Sequence, residues 1–376
     1  MSPIDPTTKI MNTIMNLQED FITYMIFVII LIIVILIIVY FIYLTKLQTT
    51  ECNYMTNLYG TMDGYIRPIN SADPDCSGNL YDYYIKTAYN ACSGGNYKND
   101  FVNVCNLINV LKQGVRCLDF EIYSIGNQPV VATSTVDNVY IKETYNSVNF
   151  SDVMTTIQNY AFSGSTSPNP TDPLIIHLRF MSNNLQMYNN LATILESYDS
   201  IMLDKTYSYE NYGKNIGMTP LTQLMNKVIL YIDRSNLTFL ECPQLLEYVN
   251  LTSGSIFMRT LRYNDVSNSN ESVPELQTFN QKGMTIVLPN VGADPPNPCG
   301  IVARETGAQM VAMRFQHIDA FLEENTTFFD EGGYAFVLKP QNLRYTENTI
   351  PGPTPQNPAY SYATRNQSTN YYNFNY

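Results

Sequence analysis

The stretch "YMIFVIILIIVILIIVYFIYL", Tyr24 to Leu44, constrains this chain more than any other. It carries no charge, no glycine and no proline. As a helix it would be about 31 Å long, which matches the hydrocarbon core of a bilayer. A buried soluble helix is rarely so long and so uniformly β-branched. The length of the run, the acidic residues Glu19 and Asp20 ahead of it, and the lack of an A-x-A site after it argue against a cleaved signal peptide. The expectation is a single-pass transmembrane helix over 24–44, preceded by an N-terminal tail, 1–23. Tyr24, Tyr40 and Tyr43 lie near its ends, where interface aromatics collect. Lys46 after the span, against Lys9 before it, points to a cytoplasmic main domain.

The rest of the 376-residue chain can hold one large domain or two modest ones, and an apolar content of 45% is enough for a real core. Acidic residues outnumber basic ones 33 to 21, and no basic run occurs. Nucleic acid and an anionic lipid surface are therefore excluded as main partners. The seven cysteines include no CxxC pair, so no zinc site is expected. Cys105 and Cys117 lie in apolar stretches and read as core residues rather than bridges. Asn-x-Ser/Thr sites at Asn149, Asn236, Asn250, Asn270, Asn325 and Asn366 are what chance gives in an asparagine-rich chain, and do not establish secretion.

Residues 45–80 mix Gly, Pro, Asp and Asn without periodicity and read as a partly ordered linker. Beyond them, strand-like runs ("GVRCLDFEIY", "QPVVAT", "DPLIIHLRF", "NKVILYID", "GSIFMRTL", "GMTIVLP", "QMVAMRF", "YAFVLKP") alternate with helix-like ones ("FVNVCNLINVLKQG", "FSDVMTTIQNYAF", "NNLQMYNNLATILESY"). That alternation predicts an α/β fold, a parallel barrel. The Pro-, Asn- and Tyr-rich tail, 346–376, cannot build a core, and is expected to be ordered only against other chains.

Several of these segments resemble the catalytic halves of eukaryotic phosphoinositide-specific phospholipase C. "GGYAFVLKPQNLR" (Gly332 to Arg344) is similar to the family's G-G-C-G-Y-V-L-K-P-x-x-L-R, and "GAQMVAMRFQ" (Gly307 to Gln316) to G-C-Q-x-V-A-L-N-F-Q. Earlier in the chain, "GVRCLDFEIY", "QPVV" and "YYIKTAYN" resemble G-C-R-C-x-E-L-D-C-W, E-P-V-V and Y-F-I-S-S-S-H-N. The resemblance implies a distorted TIM-type barrel over 81–345, split in two: a first half over 81–183, a linker at 184–217 and a second half over 218–345.

It also implies a chemistry to check. The family uses two histidines for proton transfer, a calcium ion held by carboxylates and an asparagine, and basic residues for the ring phosphates. Its two histidines fall on Tyr89 and Thr133. A calcium-ligand asparagine is kept as Asn90, and a carboxylate pair appears as Asp119 and Glu121 on one strand face. The third carboxylate falls on Arg179, and the phosphate-binding positions fall on Tyr231, Asp233, Ile286 and Leu288. The expectations that follow are a catalytically retired barrel with no metal and no cofactor, and Arg179 paired with Asp119 or Glu121 where the ion would lie. His177 shares a strand face with Arg179 and reads as a barrel-wall histidine, with a substitute base as the alternative; His317 reads as a strand-end or surface residue. "CSGG" reads as a flexible loop.

Three functions are weighed on these grounds. The leading expectation is a membrane-anchored structural protein, a virion component linking an inner membrane to capsid proteins through the barrel surface and the tail. The second is an active, divergent phosphoinositide phosphodiesterase using His177 with Asp119 and Glu121. The third is a module that binds lipid or inositol phosphate without turnover.

Overall fold

In the computed structural model the residues described are 6–137, 140–268, 273–347, 352–357 and 360–376. After a long first helix the chain lays down β1 (Tyr83–Ala88), β2 (Cys117–Ile125), β3 (Gln128–Ala132), β4 (Val148–Asn149), β5 (Leu174–Phe180), β6 (Val228–Ile232), β7 (Val249–Thr252), β8 (Met258–Arg262), β9 (Met284–Leu288), β10 (Met310–Met313) and β11 (Phe336–Leu338). Eight of them run parallel in the order β7-β6-β5-β2-β1-β10-β9-β8, which makes a nearly closed barrel with a seam between β7 and β8. β11 adds antiparallel to β1, and β3 folds back on β2 with β4 outside it. The strand-like runs of the sequence all form strands. The alternation missed β1, β7 and the short β4: β7 and β4 are too brief to show a period, and β1 is buried along its whole length and so shows none.

Two-residue alternation sorts the side chains into two layers. Leu118, Phe120, Ile122, Ile176 and Leu178 face outward into a core shared with the helices, while Cys117, Ile175, Ile229, Met284 and Ile286 fill the barrel's interior. The covering helices follow from caps and apolar stripes. Asn103 accepts from the Cys105 N–H at the start of α2 (Val104–Lys112), if the first long helix is α1 (Pro6–Tyr59); α3 is Phe150–Thr156. Asn184 caps α4 (Leu185–Glu196), which buries Met187, Tyr188, Leu191 and Leu195 against the sheet. The expected linker at 184–217 is corrected here, since its first third is a packed barrel helix.

Residues 45–80 are not a linker either. α1 continues through them to Tyr59 without a break, because no glycine or proline occurs after Pro6 until Gly60. The end of α1 lies along α2: Cys52 is bonded to Cys105, Thr56 accepts from Asn109, and the Lys112 ammonium closes on the Gly60 carbonyl. Cys105 is thus a bridge and not a core thiol, whereas Cys117 is fully buried as expected. After Gly60 the chain is irregular but packed, with Ile66, Ile69, Cys76 and Leu80 buried. Most of the 1–23 segment likewise belongs to α1. From Asp20 on, this helix is long and apolar enough to cross a membrane, with a mean hydropathy of 3.7 over an 18-residue stretch; a membrane span and a signal sequence both meet that description.

The "CSGG" loop is shaped by α1. A Cβ on Gly95 would sit 2.3 Å from Asp100 Oδ2 and 2.8 Å from Glu51 Oε1. These glycines allow the loop to press against the helix, which is a different role from flexibility. Burial and the adjacent Asp100 push Glu51 up to about 9, so it stays neutral at pH 7 in this contact.

The segment Tyr345–Tyr376 is a separate unit. Within it, β12 (Asn366–Ser368) and β13 (Asn373–Asn375) pair as an antiparallel ribbon whose side chains are all exposed. The tail therefore has local order of its own, although it buries no core. Positions 348–351 and 358–359, like the Asn270 glycosylation site, lie outside the described residues.

Candidate active site

Three adjacent strands each carry two polar residues spaced by two, and their register lines them up. Asp119 on β2 pairs with His177 on β5, and His177 pairs with Tyr231 on β6; one step nearer the strand ends, Glu121 pairs with Arg179. Asp233 follows just past β6, and Asn90 follows β1, where a φ of 44° suits asparagine. All of these side chains are buried at the C-terminal end of the barrel.

Arg179 is the hub. Its Nε donates to Asp119 Oδ1 at 2.9 Å, and its Nη2 donates to Asp119 Oδ2 at 2.8 Å and to Asn90 Oδ1 at 3.1 Å. Nη1 lies 3.1 Å from Glu121 Oε1, yet it makes no well-formed hydrogen bond, so donor capacity is left over. Burial opposes charge on Asp119, but Arg179 and His177 outweigh it and hold the carboxyl well below its usual range. Glu121 is pushed up by burial, despite Arg179, Asn90 and Tyr123 around it. Burial works against the Arg179 cation too, and the carboxylates more than restore it.

Arg179 is thus hydrogen-bonded to Asp119 and stands at ion-pair distance from Glu121, where the expectation was one acid or the other. A calcium ion does not fit this donor set. Oxygens of Asn90, Asp119 and Glu121 already face one guanidinium, and a divalent ion among them would have to displace it or stand beside it. Among the described residues no other group of carboxylates, histidines and cysteines could hold a metal.

His177 lies between two acids. Nδ1 is 2.8 Å from Asp119 Oδ1, Nε2 is 4.0 Å from Asp233 Oδ2, and the ring stacks on Tyr231 with centroids 4.3 Å apart. Neither nitrogen makes a hydrogen bond of good geometry. The residues at the family's two histidine positions are built in differently. Thr133 donates to the Tyr97 carbonyl at 3.1 Å, and the Tyr89 hydroxyl meets Arg262 Nη1 at 3.2 Å. Burial raises the Tyr89 phenol against the pull of Arg179 and Arg262, so it stays protonated. Ile286 belongs to the interior core, whereas Leu288 lines the cavity described next. His317 is partly exposed, with Asp294 and Asp319 within 4 Å, as expected for a surface position.

A cavity of about 460 Å³ opens beside this cluster along the β7–β8 seam. Arg179, Arg234, Arg259 and Arg262 line it, together with Asp137, Asp233 and Asp265, and the Arg259 guanidinium is turned to Glu275, with Nη1 at 3.0 Å and Nη2 at 2.9 Å from its oxygens. Arg262 grips Asp137 through Nε at 3.1 Å and through Nη2, and Arg179 Nη1 stands 3.9 Å from the same carboxylate. Sequence reasoning missed Arg234, Arg259 and Arg262. The four phosphate-binding positions, Tyr231, Asp233, Ile286 and Leu288, carry no hint of arginines brought in by β8, and the signal available was the R-x-x-R spacing of "MRTLR".

The X domain of phosphatidylinositol-specific phospholipase C matches residues 76–233, and the Y domain of the same family matches 249–342. No curated protein matches the chain by sequence. Among solved structures, S. officinalis PLC21 superimposes with a TM-score of 0.59 at 18% identity over 74% of this chain. L. pealei PLC21 gives 0.58 at 20% identity, also over 74%. The chain spans 40% of the length of each.

These matches correct the expectation that the chain is not an enzyme. Both catalytic-domain matches lie on the barrel, in order. The identities of Tyr89, Thr133 and the phosphate-binding positions, taken singly, do not show the groups that the barrel assembles around Arg179. The virion and capsid role expected from composition and the tail finds no support in them. With both halves of the catalytic barrel present in order and the barrel itself formed, the chain belongs to the phosphatidylinositol-specific phospholipase C family.

Proposed function

We propose that this chain is a membrane-anchored phosphodiesterase that acts on a phosphoinositide-type lipid without a metal ion. The observation that carries the proposal is the placement of Arg179, Arg234 and Arg262 around one cavity in a chain of net charge −12. Such a group binds a phosphodiester through charge-assisted, often bidentate hydrogen bonds. Arg179 supplies fixed positive charge beside the reacting phosphate, where low dielectric strengthens it. Asp233 lines the cavity with His177 behind it, and Nδ1 of His177 stands 2.8 Å from Asp119 Oδ1. This pair is placed to take the proton of the attacking ring hydroxyl and return it to the leaving group. Burial opposes ionisation of Asp233, but His177 and the Ser235 N–H keep its carboxyl low, so it is an acceptor at neutral pH.

The anchor is α1, whose apolar side chains from Phe21 to Tyr43 are exposed along a length that suits a bilayer. The Cys52–Cys105 bridge favours an oxidising compartment for the barrel, opposite to the side suggested by Lys46.

The test is release of water-soluble inositol phosphate from phosphatidylinositol and its phosphorylated forms in mixed micelles, with a chelator present. Turnover by the full chain, lost in Arg179→Met and in His177→Ala, is expected. No release from any of these lipids at high enzyme concentration would end the proposal.

A further inference from the structure

We infer that α1 fixes the barrel's open end against the bilayer the helix spans, so that the cavity is presented to lipids of that same membrane. The inference rests on the membrane-span reading of α1 given above.

The direction comes from pairings along two helices. α2 runs from the open end of the barrel, after β1, to the closed end, before β2. α1 lies alongside it in the same direction, with Cys52 bonded to Cys105, Thr56 beside Asn109 and Gly60 against Lys112. Followed backward from Cys52, α1 therefore leaves past the open end. Leu44, the last residue of the apolar run, lies only about 12 Å before Cys52 along the helix.

Contacts on the way confirm that the rim reaches the apolar run. Glu51 packs under Gly95 of the β1–α2 loop. Farther out, the Tyr40 hydroxyl, within the run, meets the Tyr145 hydroxyl at 3.3 Å. Tyr145 belongs to the loop between β3 and β4, and the same loop carries Asp137, which reaches into the arginine cavity. It also exposes Val136, Tyr140 and Ile141, the last at 70%. An apolar rim at the level of the span's end would enter the interface, where such side chains are stable. The disulfide and the unbroken helix prevent the barrel from turning away on a linker.

The chain contains no tryptophan, so one introduced tryptophan reports a single place. Full-length Ile141→Trp, with Tyr140→Trp as a second rim reporter, would be placed in nanodiscs whose lipids carry bromine on the acyl chain near the headgroup. Tyr65→Trp reports the opposite end, where the chain leaves α1 and meets α2's last turn. Loss of fluorescence at the rim reporters and none at Tyr65→Trp is expected. Quenching at Tyr65→Trp equal to or greater than that at the rim, or none at any position in a chain that stays in the disc, overturns the orientation. A chain that elutes free of the disc overturns the span reading and the orientation together. Neither result depends on turnover, so the catalytic proposal stands or falls separately.

Discussion

Arg179 meets Asp119 through two parallel hydrogen bonds, Nε to Oδ1 and Nη2 to Oδ2, in a place almost fully closed to water. A guanidinium so placed neutralises two acids that would otherwise repel each other. Removing it as Arg179→Met should cost about 3–5 kcal/mol, the usual result of leaving a buried charge without its partner.

The pH dependence of that loss has a definite sign. Asp119 is depressed in the folded state, so its contribution is present above the unfolded carboxylate pKa and is lost as pH falls through the folded value. The wild-type pair should therefore hold down to strongly acid pH. In Arg179→Met the two acids ionise with difficulty, and stability should rise as pH falls from 8 to 5. Denaturant midpoints across that range would show it; a flat difference between the two proteins would contradict the pairing.

Calcium should not matter to turnover. The oxygens that would hold it are occupied by Arg179, so activity should survive a strong chelator, and added calcium should leave the thermal midpoint unchanged. Loss of activity in chelator, restored by calcium, would show that Arg179 moves aside for the ion.

His177→Ala should lower kcat by about 10²–10⁴-fold, the range for a lost acid–base group. His177→Phe keeps the stack on Tyr231 and so separates packing from proton transfer. If both variants fold and kcat is unchanged in each, His177 is a wall residue.

Asp137 occupies the arginine cavity as an internal anion. Asp137→Asn should therefore tighten binding of inositol phosphates, whereas Arg262→Met should weaken it and raise KM more than it lowers kcat. Isothermal titration with inositol trisphosphate would read both directions, and equal shifts in the two variants would count against a shared anion site.

Cys105→Ser should loosen α1 from α2. The bridge closes a loop 53 residues long in sequence separation, for which about 2–4 kcal/mol is typical. Peptide mapping without reductant should recover the two segments joined. A free thiol at both positions would remove the bridge and the compartment argument with it.

Alternating apolar runs and helix stripes were enough to imply a parallel barrel, because each strand and helix signals itself locally. A pairing of Arg179 with Asp119 or Glu121 was also legible, since Arg179 falls at the position of the family's third carboxylate and the two acids share one strand face. The continuity of α1 could have been read as well: nothing breaks a helix before Gly60, and only the lack of an amphipathic pattern in 46–59 hid it. Tertiary structure alone decided the rest. Arg234 and Arg262 are brought to the cavity beside Arg179 by the seam between β7 and β8, and a linear motif has no term for that distance. Cys52 finds Cys105 because two helices lie side by side, and the open end of the barrel faces the apolar helix for the same reason. Local preference comes from neighbours in the chain, whereas sites and orientations come from neighbours in space.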